Sequence, residues 1–484
     1  MTFPVFSRWA HRLAKRQRSG SAGRGSTTRP RTNSAFYLAC CFTLLASAGR
    51  VRAEGGLPDT ETPSLSFDDV VATALSRHLS LEAARLEIDR AQALLQQARA
   101  SALPTLTLGF NYTRLDNDRV LGSGDMQRLV AGANQTAGNL TLAVPILAPA
   151  RWAGWLHARD NRRVAEISLT DVRRQVAMAA ARSCLAVIAQ GRLQEVSERA
   201  LATAQAHADY AHSRLAGGVG NRLDAVRADS ELQIAQNQLA MARSNRQRAR
   251  EALGVILAAD LPLDCRDAPS LADADQLAVE LASVADGRKR QAPALDDLAI
   301  FRSDLRLLQA RAWASARVIR HGWTDFLPQL SLSFAPFFQD PPSIVQPQLG
   351  WQARFDLSWS LFDGGLRYGM RGERWVNYRQ IHNTQQLALL QARSEVRVAT
   401  ATLRYAQQAE RAAQGAAQAT AEASQLSMQA YRAGISNNLA VIDAERRARD
   451  AASAATQAED AARQARLELL IAAGRFPHRS AAVD

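Results

Sequence analysis

Polar and apolar positions along this chain alternate with period two in four short stretches and with the helical period nearly everywhere else. In the first stretch Leu106, Leu108, Phe110 and Tyr112 are apolar, while Thr105, Thr107, Gly109, Asn111 and Thr113 are small or polar. Leu140, Leu142, Val144 and Ile146 repeat the pattern, as do Leu330, Leu332 and Phe334. The strictest run is Trp351, Ala353, Phe355, Leu357, Trp359 and Leu361 against Gln352, Arg354, Asp356, Ser358 and Ser360. Alternation of this kind predicts strands with one apolar and one wet face, of the length that suits an outer-membrane crossing.

From Gly365 to Ala433 the chain holds no proline, which predicts a helix about 100 Å long at the usual rise. No compact domain accommodates such a rod. Small apolar positions at Leu403, Ala406, Ala409, Ala413, Ala416, Ala419, Ala423, Leu426, Ala430 and Ala433 step by three and four, a seam for a neighbouring helix. Ala412, Ala417 and Ala421 lie off that seam and offer a second face.

The chain repeats itself. Leu103-Pro104-Thr105-Leu106-Thr107-Leu108 returns as Leu327-Pro328-Gln329-Leu330-Ser331-Leu332, and Gly218-Val219-Gly220-Asn221 returns as Gly434-Ile435-Ser436-Asn437. Matches in one order at one spacing, about 220 residues, predict two copies of a unit reading helix, strand, loop, strand, very long helix, tight turn, helix. In the first copy a helix over Ser66 to Ala102 stops before Pro104, residues 114–138 form a polar loop, and Pro149 opens a rod to Ala216. After the 217–220 turn a helix runs to Ala259. In the second copy a helix over Leu295 to Phe326 precedes a strand and a proline-rich loop containing Pro336, Pro341, Pro342 and Pro347. The expected segments are a cleaved signal (1–48), a flexible stretch (49–63), a first repeat (64–259), a connector with a short helix near Leu271 to Ala285 (260–294), a second repeat (295–474) and a tail (475–484).

Charge changes the picture little. The formal net charge is +13, but eight of the basic residues fall within the first 31 positions, before an apolar run from Ala35 and Ala46-Ser47-Ala48. That is the layout of a secretory signal, and with only about +5 left for the rest of the chain a nucleic-acid reading of the body loses its support. Cys40 does not sit in a lipid-attachment pattern, since Tyr37 occupies the place where leucine is preferred. Of the four cysteines, only Cys184 and Cys265 lie beyond the signal. A disulfide is open to them in an oxidising compartment, although two unpaired small residues is the simpler reading. No segment beyond the signal has the uninterrupted apolar length of a transmembrane helix.

Four membrane strands cannot close a barrel, and an open edge in hydrocarbon leaves backbone groups unpaired at several kcal/mol each. Small closed barrels begin at about eight strands. Three chains would supply twelve, enough for a lumen, with the rods continuing the tube away from the membrane.

The repeated strand openings, the Leu361-Phe362-Asp363-Gly364-Gly365 junction and the Tyr431-Arg432-Ala433-Gly434 turn followed by Leu439 to Asp443 resemble the TolC family of outer-membrane export channels. The resemblance spans residues 64 to 474. It implies an α+β membrane protein: a homotrimer whose four strands per chain form a twelve-stranded β-barrel in outer-membrane lipid, continued by an α-helical barrel in the periplasm. It also implies a periplasmic adaptor and an inner-membrane transporter, an ABC transporter or alternatively an RND pump, as partners. By the same resemblance Gly217, Gly218, Gly220, Asp224, Tyr431, Arg432, Gly434 and Asp443 sit at the periplasmic tip where the aperture closes. Ser436 and Ala440 depart from the family's arginine and aspartate there, with Arg222, Arg227 or Arg432 as substitutes.

The sequence holds no HExxH, Walker lysine, GxSxG or strand-following GxGxxG, so the reading assigns no enzyme activity, cofactor or metal. His207 and His212 are five apart and do not share a helix face. The expected function is a passive exit duct. Without a lipid-attachment pattern, the preferred cargo is an exported polypeptide, as in type I secretion; multidrug or metal efflux is the alternative. A periplasmic adaptor or other structural coiled coil is the competing class.

Overall fold

The structure is a computed structural model and describes residues 63–476, apart from 123–127, 268, 270, 286–301 and 343–345. The expected signal, nearly all of the 49–63 segment and the tail beyond 476 lie outside the described residues. The helices are α1 (Phe67–Arg77), α2 (Leu79–Ala100), α3 (Pro149–Ala216), α4 (Arg222–Ile256), α5 (Ala272–Ala285), α6 (Ser303–His321), α7 (Leu366–Arg432) and α8 (Asn438–Ala472). The strands are β1 (Ser64–Leu65), β2 (Thr105–Arg114), β3 (Arg119–Leu121), β4 (Arg128–Ala131), β5 (Asn134–Leu147), β6 (Asp264–Cys265), β7 (Gln329–Asp340) and β8 (Leu349–Ser358). α3 and α7 are matched rods of 68 and 67 residues, and α4 and α8 are matched at 35 each.

β2, β5, β7 and β8 form one antiparallel sheet in that order. The register sets Leu106 opposite Leu142, Leu142 opposite Phe334, and Phe334 opposite Ala353. Residues directly opposite one another share a face, so the four apolar rows merge into one surface. Leu108, Phe110, Trp351, Phe355 and Leu357 on it are exposed by two-thirds or more. Thr107 and Thr141 pair on the other face, as do Ser333 and Arg354. Among the described residues, β2 and β8 have no further neighbour, so the sheet carries two open edges.

Several boundaries differ from the sequence reading. The expected helix over Ser66 to Ala102 is two, because His78 is extended and its Nδ1 accepts from Ser80 N, capping α2. The 114–138 stretch is not all loop: β3 and β4 pair there, and β5 already starts at Asn134. β7 runs through Pro336 to Asp340, where the sequence reading began a loop, although proline has no N–H to give the ladder. β8 stops at Ser358, where Trp359 Nε1 donates instead to the Phe326 carbonyl. The following junction turns on Gly364 (φ 68°) and Gly365 (φ 93°), a conformation that side-chain-bearing residues rarely adopt. Asp363 Oδ1 accepts from Gly365 N there, and its Oδ2 accepts from Arg367 Nε at 2.6 Å.

The core lies around the middle of the rods. Val176, Ala177, Ala180, Cys184 and Leu185 of α3 meet Val70 and Ala74 of α1, Leu253 of α4, Leu277 of α5, Ala392 and Leu403 of α7, and Leu467 and Leu470 of α8. α3 contains one stretch whose composition would suit a bilayer span; its buried residues are accounted for by this packing. Cys184 and Cys265 are bonded, against the reading of two unpaired residues. The seam on α7 is also displaced. Of the seam, Leu403, Ala406, Ala413 and Ala430 turn inward or part-inward, as do Ala417, Thr420 and Tyr431 off it, whereas Ala409, Ala416, Ala419, Ala423 and Leu426 are exposed. The row read from the sequence is thus inward near Leu403 and mostly exposed from Ala416 to Leu426.

Candidate functional site

The two long hairpins, α3 with α4 and α7 with α8, end in two equivalent turns. In the first, Gly218 adopts φ 73° and Val219 N donates to the Arg214 carbonyl; in the second, Gly434 adopts φ 75° and Ile435 N donates to the Ala430 carbonyl. Both satisfy orphan helix carbonyls through a left-handed residue, which glycine supplies without strain. Gly217 caps α3 just before this residue. At Gly220 a Cβ would come within 2.6 Å of Leu215 N, so the loop packs on its own helix only with glycine there. Asn221 and Asn437 then cap α4 and α8, accepting from Leu223 N and Ala440 N.

Between the turns lies a pocket of about 330 Å³ lined by Arg214, Asp224, Arg227, Tyr431, Gly434 and Ser436, among others. Tyr431 is 4 % exposed. Its ring lies 4.9 Å under the Arg214 guanidinium and 5.9 Å edge-on from Tyr210, the geometry of a cation–π contact within an aromatic cluster. Burial pushes the Tyr431 hydroxyl above its ordinary pKa, and the Asp224 and Tyr210 charges add to this against Arg214. Arg432 lies over the Tyr210 ring at 5.8 Å. Asp224 is half-buried in the first turn of α4, where its carbonyl accepts from Asn438 Nδ2.

The structure therefore brings Gly220, Asp224, Tyr431 and Gly434 to one pocket and leaves Asp443 apart. Asp443 is exposed and pairs along α8 with Arg447 at 2.8 Å. The arginine set on Tyr431 is Arg214, not Arg222, Arg227 or Arg432. Sequence reasoning passed over Arg214, Tyr210, Asn438 and Glu445, and weighed His207 only against His212. His207 is 3 % exposed; its Nδ1 lies 3.0 Å from Glu445 Oε2 and its Nε2 2.7 Å from Asn438 Oδ1. A usable signal existed, because His207, Tyr210 and Arg214 follow one another at three and four residues and so share one face of α3. A second link between the hairpins is Arg446 to Glu231 at 2.5 Å. Nothing in this set has the arrangement of a nucleophile and base. What it can do is hold two helical hairpins together or release them.

Residues 70–259 match a protein family described as Outer membrane efflux protein. No curated protein matches in sequence. Solved structures resemble the fold over most of its length: CusC, in structures of its folding and transmembrane channel formation, has TM-score 0.71 at 16 % identity, covering 87 % of this chain and 95 % of its own. The CmeC outer membrane channel of Campylobacter jejuni has TM-score 0.69 at 15 % identity, covering 84 % of this chain and 85 % of its own. The outer membrane protein VceC of Vibrio cholerae has TM-score 0.68 at 17 % identity, covering 84 % and 96 %.

Proposed function

We propose, from the match of residues 70–259 to the outer membrane efflux protein family, that this chain is one protomer of a passive exit duct anchored in the bacterial outer membrane with its rods in the periplasm. The observation that carries the reading is the four-stranded sheet, apolar over one whole face and unpaired at both edges, joined to two rods of about 100 Å. Lipid accepts the face but not the edges. Three copies edge to edge give a closed barrel of twelve strands, and their helices continue the wall towards the tip. A periplasmic adaptor and an inner-membrane transporter are the partners such a duct requires, because a passive tube needs its cargo delivered under power.

The two repeats of the sequence fit this reading, each supplying two strands and one hairpin to the wall. Efflux of small molecules replaces polypeptide secretion as the favoured cargo, since the matched family is described by efflux. A periplasmic adaptor is the weaker alternative: it leaves the exposed apolar sheet without a partner. Membrane fractionation and the mass of the detergent-solubilised particle test the duct, with a trimer in the outer membrane expected and a soluble monomer decisive against it. Deleting the protein and comparing resistance to dyes, detergents and antibiotics with the proteins released to the medium tests the cargo. Loss of resistance with unchanged release supports efflux.

A further inference from the structure

The tip holds one buried histidine that the aperture pocket itself does not use. We infer that His207 is a proton-operated clasp between the two hairpins, fastening α3 to α8 as an imidazolium and loosening when neutral. The inference rests on reading the tip as the aperture of a duct.

Hydrogen-bond chemistry decides which form of His207 fits. Both ring nitrogens face oxygen acceptors, the Glu445 carboxylate at 3.0 Å and Asn438 Oδ1 at 2.7 Å. Asn438 is itself only 2 % exposed, and its amide nitrogen donates to the Asp224 carbonyl at 3.2 Å. Turning that amide to offer a donor to His207 would break this bond and set oxygen against oxygen. Neutral imidazole has one N–H and one lone pair, so one of the two contacts would become lone pair against oxygen. Only the cation completes both. These four residues link three elements: α3 through His207, α8 through Glu445 and Asn438, and α4 through Asp224.

The charges around the ring agree with this assignment. α8 presents Glu445, α4 presents Asp224, and α7 presents Tyr431, stacked at 6.3 Å, and Arg432, whose guanidinium lies over Tyr210. On α3 itself Tyr210 and Arg214 share the face of His207, and Arg214 is engaged with Tyr431. Burial works to lower the His207 pKa, but the bond and charge of Glu445, then Asn438 and Asp224, outweigh it and hold the value above the ordinary one. A group whose folded pKa is raised adds stability that is complete below its unfolded value, about 6.5, and is lost as pH climbs through the higher folded value. The clasp is therefore closed in mildly acidic periplasm and opens towards alkaline pH. The Arg446–Glu231 and Arg449–Glu231 pairs also join α8 to α4, so opening is partial rather than complete.

The test is ion conductance of the full mature channel in planar bilayers at pH 6 and pH 8.5, for the wild type, His207→Gln and Glu445→Gln. Wild-type conductance should rise severalfold with pH, and both variants should conduct at the higher level at either pH. A flat wild-type profile, or the same response in His207→Gln, overturns the clasp. Hydrogen exchange of residues 431–445 at the two pH values, corrected for intrinsic rates, reads the same contact without assuming a channel. Greater protection at pH 6 in the wild type but not in His207→Gln supports the clasp, and equal protection in both overturns it. Exchange that responds as expected in a protein that never conducts would sink the duct while leaving the clasp standing.

Discussion

Cys184, midway along α3, is bonded to Cys265 of β6, 81 positions further along the chain. The bond ties the connector to the longest rod at the level of the core. Next to it, Arg246 and Arg250 reach Asp264 at 2.8 and 2.5 Å, and β6 pairs with β1 through Ser64 and Asp264. Disulfides typically contribute about 2–4 kcal/mol, chiefly by restricting the unfolded chain. Reduction, or Cys265→Ser, should shift denaturant unfolding of the solubilised protein by that amount, while the two ion pairs and the buried Leu263 and Leu277 hold the connector in place. A non-reducing gel with thiol labelling checks the bond, and circular dichroism checks the shift.

Leu142 stands on β5 between Leu106 of β2 and Phe334 of β7, on the apolar face. An arginine facing hydrocarbon near mid-depth costs about 2–4 kcal/mol. Leu142→Arg should therefore reduce folded, membrane-inserted protein, whereas Thr141→Arg, one position along and on the opposite face, should insert nearly as the wild type does. Heat-modifiability on gels reads the inserted fraction. Equal behaviour of the two variants would contradict a sheet with one face in lipid.

Tyr431 fills the contact among His207, Tyr210 and Arg214. Tyr431→Ala removes a large buried ring and should destabilise the tip by about 3 kcal/mol, seen as higher baseline conductance and faster hydrogen exchange near Gly434. Tyr431→Phe keeps the ring under the guanidinium and should stay close to wild type.

Arg302, 7 % exposed by its side chain, holds Asp304 at 2.7 Å and Glu395 at 2.6 Å, joining α6 to α7. Burial raises the Asp304 pKa, but the hydrogen bond from Arg302 and the charges of Arg174 and Arg302 hold it below the ordinary aspartate value. A depressed carboxylate contributes stability present above its unfolded pKa, near 4, and lost as pH falls through the folded value. Arg302→Met should cost about 1–3 kcal/mol at neutral pH, the half-exposed Glu395 keeping it from being larger. It should also flatten the acid limb of a stability–pH curve below about pH 4. An unchanged acid limb would show that this cluster does not set acid sensitivity.

Much of the fold was legible because its signals are periodic and local. Strand alternation through Trp351 to Leu357 and the proline-free run into Ala433 need only side-chain polarity and backbone chemistry. Where a non-local contact decided the outcome, the reading slipped. The α7 seam was read as one row from Leu403 to Ala433, but beyond Ala413 it is exposed at Ala416, Ala419 and Ala423, while Ala417 of the second face and Thr420 turn part-inward. Two alanine rows on one helix are equivalent until a neighbour chooses between them. The α1–α2 break escaped notice because it depends on a histidine capping a helix through its ring nitrogen at His78, which ordinary capping preferences do not include.

At the tip the division is sharper. Composition and spacing alone determined that two glycine turns end two hairpins, because a left-handed residue at each helix end follows from the glycines themselves. The partners across the hairpins were decided only by the fold. His207 and Glu445 are 238 residues apart, and no local rule relates them. A contact between distant residues is fixed by how whole helices pack, so the chain order names the candidates and the packed rods decide which of them meet.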